Sequence, residues 1–248
     1  MNTDMERWEL RTAAALIALS VVTYLVHFLI FRDAHHIEIF FLGDLGFVFL
    51  EVILVTMVIH GLLERREKRT MLSKLNMVIG AFFSEVGKEL LRLLVRMDQT
   101  PDRDPVLVAK EGWTGRDFDQ AVRRANEMTF DLVEDPENLN RLKAFGKGRR
   151  DFLLRLLENP NLLEHDRFTD LLFALFHLME ELEARDCLHA LPEEDLEHLS
   201  NDSRRVYDLL IVEWLEYMRH LSRNYPYLYS LARRTNPLDP EVCATVCG

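Results

Sequence analysis

Apolar residues crowd the first quarter of the chain in two long runs, then thin out to every third or fourth position, and this change of pattern divides the sequence in two. Thr12 to Phe31 carries no charged side chain; Ser20, Thr23 and His27 are its polar interruptions. Ile39 to Leu63 is broken only by Asp44, Glu51 and His60 as ionisable residues. A helix needs about 20 apolar residues to cross roughly 30 Å of hydrocarbon, so both runs read as membrane-spanning helices. The first is longer than the roughly 7 to 15 residue core of a signal peptide, and no small-residue cleavage site follows it. The short connection Arg32 to His36 makes the two spans antiparallel neighbours.

After Leu63 the chain turns basic, with Arg65, Arg66, Lys68, Arg69 and Lys74, while Arg7 and Arg11 precede the first span and the connection holds only Arg32. Basic flanks stay on the cytoplasmic side. The prediction is a multi-pass protein of the prokaryotic inner (cell) membrane with both termini cytoplasmic, and with the lipid bilayer as its first partner.

Beyond the basic stop, Leu72, Leu75, Ile79, Phe82, Val86, Leu90, Leu93 and Met97 recur in steps of three and four. That spacing predicts an amphipathic helix with a heptad-like seam, suited to a coiled coil or the edge of a helical bundle. Gly80 and Gly87, seven apart, allow a neighbouring helix to come close. Met77, Val78, Ala81 and Phe83 widen the face, so association with another helix is expected, in a homo-oligomer or within the chain.

Residues 98–115 hold Pro101, Pro105, Gly112 and Gly115 among mixed charges and read as a connection. Helices are expected at Asp117 to Val133, from the Asp135-Pro136 cap to Phe145, at Asp151 to Glu158, at Arg167 to Arg185 and at Glu193 to Arg223, with Gly146 to Gly148 as a break. No stretch alternates as a strand does. The fold class is therefore all-α: a two-helix transmembrane hairpin (1–64), a juxtamembrane amphipathic helix (65–98), a linker (99–115), a cytosolic helical bundle (116–235) and a flexible tail (236–248).

The net charge of -11 argues against nucleic acid as a partner. Glycine-rich phosphate loops and dinucleotide fingerprints are missing, so no cofactor is expected. Cys187, Cys243 and Cys247 are too few for a disulfide framework, which fits a reducing compartment. The CxxxC spacing of the last two lacks the further ligands of a zinc site.

Chemistry concentrates in three places. Asp44 and Glu51 lie two helical turns apart on one face of the second span. Counted from the connection, His27 is level with Asp44 and Ser20 with Glu51, so each acid has a polar partner available. These residues are either polar glue between helices or an ion pathway. In the bundle, His177, Glu180 and Glu181, and Glu213, Glu216 and His220, stand at one-turn spacing, with Glu85 and Glu89 on the seam helix. Such residues usually form solvated helix faces, and no metal is expected. Were one to bind, His177, Glu180, Glu213, Glu216 and His220 would be the set, although the Glu-x-x-His pattern of ferritin-like bundles is not met. Third, Trp214, Tyr217, Tyr225, Tyr227 and Tyr229 gather around Asn224-Tyr225-Pro226, as a core anchor or as a docking surface for a cytosolic protein.

At Leu75 to Gly87, and again at Glu213-Trp214-Leu215-Glu216-Tyr217-Met218 with Tyr225-Pro226-Tyr227-Leu228, the chain resembles a group of uncharacterised prokaryotic two-span membrane proteins with a cytosolic helical domain. The resemblance implies a shared architecture and carries over no catalytic residue. Two functions follow from the whole pattern. The first is a non-enzymatic, membrane-anchored sensor or scaffold acting through its cytosolic domain; the second is a homo-oligomeric channel or mechanically gated pore lined by Asp44 and Glu51. A metal-dependent helical enzyme is the third alternative.

Overall fold

The computed structural model describes residues 3–32, 34–100, 105–133, 135–160, 162, 165–240 and 244–245, and of residues 3–10, 34, 36, 40 and 68–73 the backbone alone. Arg7, His36, Lys68, Arg69 and Leu72 thus enter without side chains, and Pro101, Cys243 and Cys247 lie outside the described residues. The described residues are all-α. The helices are α1 (Thr3–Phe31), α2 (Ala34–Phe82), α3 (Lys88–Met97), α4 (Gly115–Glu127), α5 (Pro136–Leu157), α6 (Asp166–Ala184), α7 (Glu193–Asn224) and α8 (Pro226–Arg234). The chain divides into two compact units, Met1–Lys68 and Arg69–Gly248.

In the first unit, Arg11–Phe31 and Ile37–Glu67 are long and apolar enough to cross a membrane, and none of that apolar surface is buried. Leu29, Leu42 and Met57 are each at least 70% exposed. A contiguous apolar surface of this kind needs lipid or another protein to cover it. Helix α1 ends at Arg32, whose φ of 46° lies in the left-handed region and whose N–H still reaches the Phe28 carbonyl at 2.8 Å. Tyr24 of α1 meets Phe41 of α2 edge to face at 6.5 Å between ring centroids. Thr23 Oγ1 donates to the Leu19 carbonyl at 2.9 Å, so a hydroxyl among apolar neighbours is satisfied within its own helix.

The second unit has a core of aliphatic and aromatic side chains drawn from every helix after residue 74. The seam residues Leu75, Ile79, Phe82, Val86, Leu90 and Met97 are all buried in it. The seam is not one regular helix: between α2 and α3 lies a five-residue π-helical segment, Phe83–Gly87. A wider turn adds a residue to the register and rotates the face that follows. Leu94 and Leu91 are therefore fully buried, while Leu93, predicted on the seam, is only half-buried. Gly87 is where the wide turn requires glycine, because a Cβ there would meet the Phe83 ring at 2.5 Å and the Phe82 ring at 2.8 Å.

The residues expected to connect two domains belong to this unit. Gln99 N–H donates to the Asp131 carbonyl at 2.8 Å and Val133 N–H to the Met97 carbonyl at 3.0 Å, while Leu107 and Ala109 are buried. Helix α4 starts where the Asp117 carboxylate accepts from the Thr114 N–H at 2.6 Å and hydroxyl at 2.7 Å. It ends at Glu127, short of the predicted Val133, because the chain extends at Met128 to pair with the 97–100 segment. Asp135 caps α5 as predicted, accepting from Glu137 N–H at 2.8 Å, with Pro136 in the first turn. The predicted break at Gly146 to Gly148 does not occur, and α5 runs through it. Gly146 serves close packing instead: a Cβ there would stand 2.9 Å from the Met179 side chain of α6. At the other end, Asn236 and Leu238 are buried, so the stretch expected as a tail begins inside the core.

Candidate functional site

Three elements meet around a polar pocket of about 580 Å³ in the second unit: Asn76 and Ile79 of α2, His165 to Arg167 at the start of α6, and Glu213, Glu216, Tyr217, Arg219, His220, Arg223 and Asn224 of α7. Aromatic packing brings them together. Phe82 meets Phe168 of α6 edge to face at 5.1 Å, and Phe83 stacks on Tyr217 at 5.0 Å while meeting Trp214 at 5.2 Å. Trp214 is fully buried, and its Nε1–H donates to Asn236 Oδ1 at 2.9 Å. The aromatic cluster read from the sequence therefore splits: Trp214 is a core anchor under the pocket, Tyr217 a half-buried wall, and Tyr227 is 71% exposed.

The electrostatics of the pocket are unusual for an acidic protein. Glu213 is 1% exposed, and its Oε1 accepts no hydrogen bond among the described residues. Burial pushes its carboxyl up to about 7; nearby Arg167 pulls the other way, and Glu216 adds to the rise. His165 caps α6 through Nδ1, which accepts the Phe168 N–H at 3.1 Å. A ring nitrogen that accepts is unprotonated, and burial lowers the imidazole's affinity for a second proton. Burial also lowers His220 and raises Tyr217. Arg219 is committed to Asp119 at 2.7 Å and to Glu216. Arg167 and Arg223 form no ion pair with a carboxylate among the described residues. The positive end of the α6 dipole opens on the same space.

The sequence-predicted residues do not gather at one place. Glu213, Glu216 and His220 line the pocket, but His177 and Glu180 do not. Glu180 stands exposed beside Arg150 at 3.8 Å, and Glu89 pairs with Arg149 at 3.1 Å. His177 faces α7 instead, where His198 and Asp202 meet it, with the ligating atoms of all three within 4.8 Å of one another. Sequence reading missed His198 and Asp202. Their i, i+4 spacing on α7 repeats that of His177 and Glu181 on α6, and this matched pair of spacings was the available signal. In the first unit Ser20, Asp44 and Glu51 are exposed on the single chain, and no hydrogen bond or ion pair joins them among the described residues. His27 lies against Phe31, with 4.8 Å between ring centroids.

Residues 71–234 match the family model described as the C-terminal helical domain of uncharacterized protein MJ1433, and residues 2–63 match that of its N-terminal helical domain. The chain is 46% identical over 236 residues to "Uncharacterized protein MJ1433" of Methanocaldococcus jannaschii, covering 94% of each chain. No solved structure matches.

Proposed function

This chain belongs to the MJ1433 family through both of its helical domains, and from that premise we propose that it is a membrane-anchored, non-enzymatic sensor whose C-terminal unit holds a small organic anion. The observation that carries the reading is the pocket itself. Its volume of about 580 Å³ falls within the range of small-molecule sites, roughly 300–1,000 Å³. It offers two uncommitted guanidinium groups, Arg167 and Arg223, beside a buried carboxyl that is half protonated near neutrality. A protonated Glu213 can donate to the ligand, so binding is expected to tighten as the pH falls from 8 towards 6.

Isothermal titration of the detergent-solubilised protein with inorganic phosphate and with a short dicarboxylate tests this directly. At least one should bind in the micromolar to millimolar range, and the double variant Arg167→Ala/Arg223→Ala should weaken it at least about tenfold, since one hydrogen bond to a charged group contributes about 1.5–3 kcal/mol. Identical titrations for wild type and variant would remove the anion site.

The anchor is the pair of apolar helices, oriented by the basic residues after Leu63 with both termini cytoplasmic. A single thiol supplied by Ala34→Cys, with the native cysteines replaced, should react with an impermeant maleimide in intact cells. Reaction only after permeabilisation reverses the orientation. Exposure of Asp44 and Glu51 on the single chain keeps the pore as a second reading. Cation currents from reconstituted protein, with selectivity altered by Glu51→Gln, would replace the sensor with that pore.

A further inference from the structure

We propose that His177, His198 and Asp202, with Glu181 beside them, form a site for one divalent transition-metal ion, bridging α6 and α7 independently of the anion pocket. Helix α6 supplies His177 and Glu181, one turn apart, and α7 supplies His198 and Asp202, also one turn apart, so each helix presents one imidazole and one carboxylate. His177 Nε2 stands 3.2 Å from Asp202 Oδ2, and His198 Nε2 stands 3.5 Å from the same oxygen. Glu181 stands beside these three as an outer carboxylate, with Oε2 3.6 Å from His198 Nε2 and Oε1 4.0 Å from His177 Nε2. Donor atoms bound at about 2.0–2.2 Å around a tetrahedral ion lie about 3.3–3.5 Å apart. The His198–Asp202 separation of 3.5 Å falls on that edge, and the His177–Asp202 separation of 3.2 Å is just short of it.

A solvated ion-pair cluster has the same residue types, and the state of Asp202 distinguishes the two. Its side chain is 6% exposed. Its Oδ2 is buried and engaged in no hydrogen bond, although two imidazole nitrogens lie within reach. An anionic oxygen removed from water without a hydrogen bond is costly, and a cation shared with the two imidazoles removes that cost. Both histidines are half exposed, which leaves a route for the ion and room for a water ligand. Arg185 supports the set from outside: it donates to Glu181 Oε2 at 2.7 Å and holds Asp195 through two bonds of 2.8 and 2.5 Å. Glu181 is thereby oriented towards the histidines, as outer partners orient metal ligands elsewhere. Two imidazoles with a carboxylate and a water suit zinc, iron or cobalt, whereas magnesium and calcium prefer all-oxygen sets.

The test uses the full-length protein in detergent, purified without a histidine tag, stripped with chelator and titrated with Zn²⁺ and separately with Co²⁺. One equivalent of each per chain is expected, with a rise in melting temperature and visible d–d absorption for the cobalt form. His198→Ala, at an exposed position that does not threaten folding, should abolish the cobalt absorption and weaken zinc by at least about tenfold. Asp202→Asn should do the same with an unchanged circular dichroism spectrum. Wild type that takes up neither metal at micromolar concentration overturns the site. So does a His177→Ala/His198→Ala variant that still holds one equivalent with the wild-type spectrum.

Discussion

Phe82→Asp is expected to abolish the cooperative melting of the C-terminal unit or to lower its midpoint by about 10–20 °C. Phe82 has no exposed surface and sits at the junction of α2 with the π-helical segment, where Phe83 and Phe168 both meet it edge to face. Removing a buried phenylalanine costs about 3–5 kcal/mol through lost transfer energy and the cavity left behind. Aspartate adds a carboxylate with no partner in the same place. A domain of ordinary stability has only about 5–15 kcal/mol in total. Because Phe82 packs on Phe168, beside the His165–Arg167 edge of the pocket, anion binding should be lost with the fold. Phe173→Asp is the control: Phe173 on α6 is 59% exposed, and the change should stay within about 0.5 kcal/mol. A Phe82→Asp protein that melts with wild type would mean that this face of α2 is not packed as described.

Glu213→Gln is expected to change how stability depends on pH more than any other substitution in the pocket. The folded-state carboxyl is raised from the usual carboxylate range to about 7, so between about 4.5 and 7 the folded protein holds a proton that the unfolded chain has released. Stability from this group is therefore present below its unfolded pKa and declines as pH rises through 7. The difference is about 3 kcal/mol, from about 1.4 kcal/mol per pKa unit. Asp208, raised by burial to about 6, slopes the same way, while the lowered His165 and His220 slope oppositely below their ordinary value. Those groups are common to both proteins. The gap between wild type and Glu213→Gln should therefore widen in favour of glutamine from pH 5 to pH 8, as read from urea midpoints at each pH. Parallel curves would show that Glu213 does not titrate in this window.

A glutamate kept at full burial with an unpartnered oxygen is a liability to stability, and its position beside uncommitted guanidinium groups gives it a use in binding. The same reasoning applies to Asp202, buried against two half-exposed histidines about three turns earlier on the same face of α7. Both acids lie on one helix and face different neighbours: Glu213 shares a pocket with the start of α6 and the end of α2, while Asp202 faces the later half of α6. Helix α7 thus carries the proposed anion pocket and the proposed metal site as separate features of one scaffold.

What the sequence determined by itself was whatever depends on local periodicity and length. Two apolar runs long enough for a membrane, the absence of strand alternation, the Asp135-Pro136 cap and the near-complete extents of α6 and α7 all follow from side chains a few residues apart. Leu75, Ile79, Phe82, Val86 and Leu90 are buried because a stripe at helical spacing must find an apolar partner, whichever helix that is. Tertiary structure decided the partners. Gly146 looks like a helix break until Met179 fills the space above it, and Leu93 looks like a seam residue until the π-helical segment turns Leu94 inward. The functional groups show the limit most clearly. His177 could be placed on a face by its spacing, but only the packing of α6 against α7 could bring it to His198 and Asp202, 21 and 25 residues further along the chain. Local spacing sets which side chains share a helix face; the meeting of two faces depends on the whole core, and it is there that a buried acid acquires its neighbours.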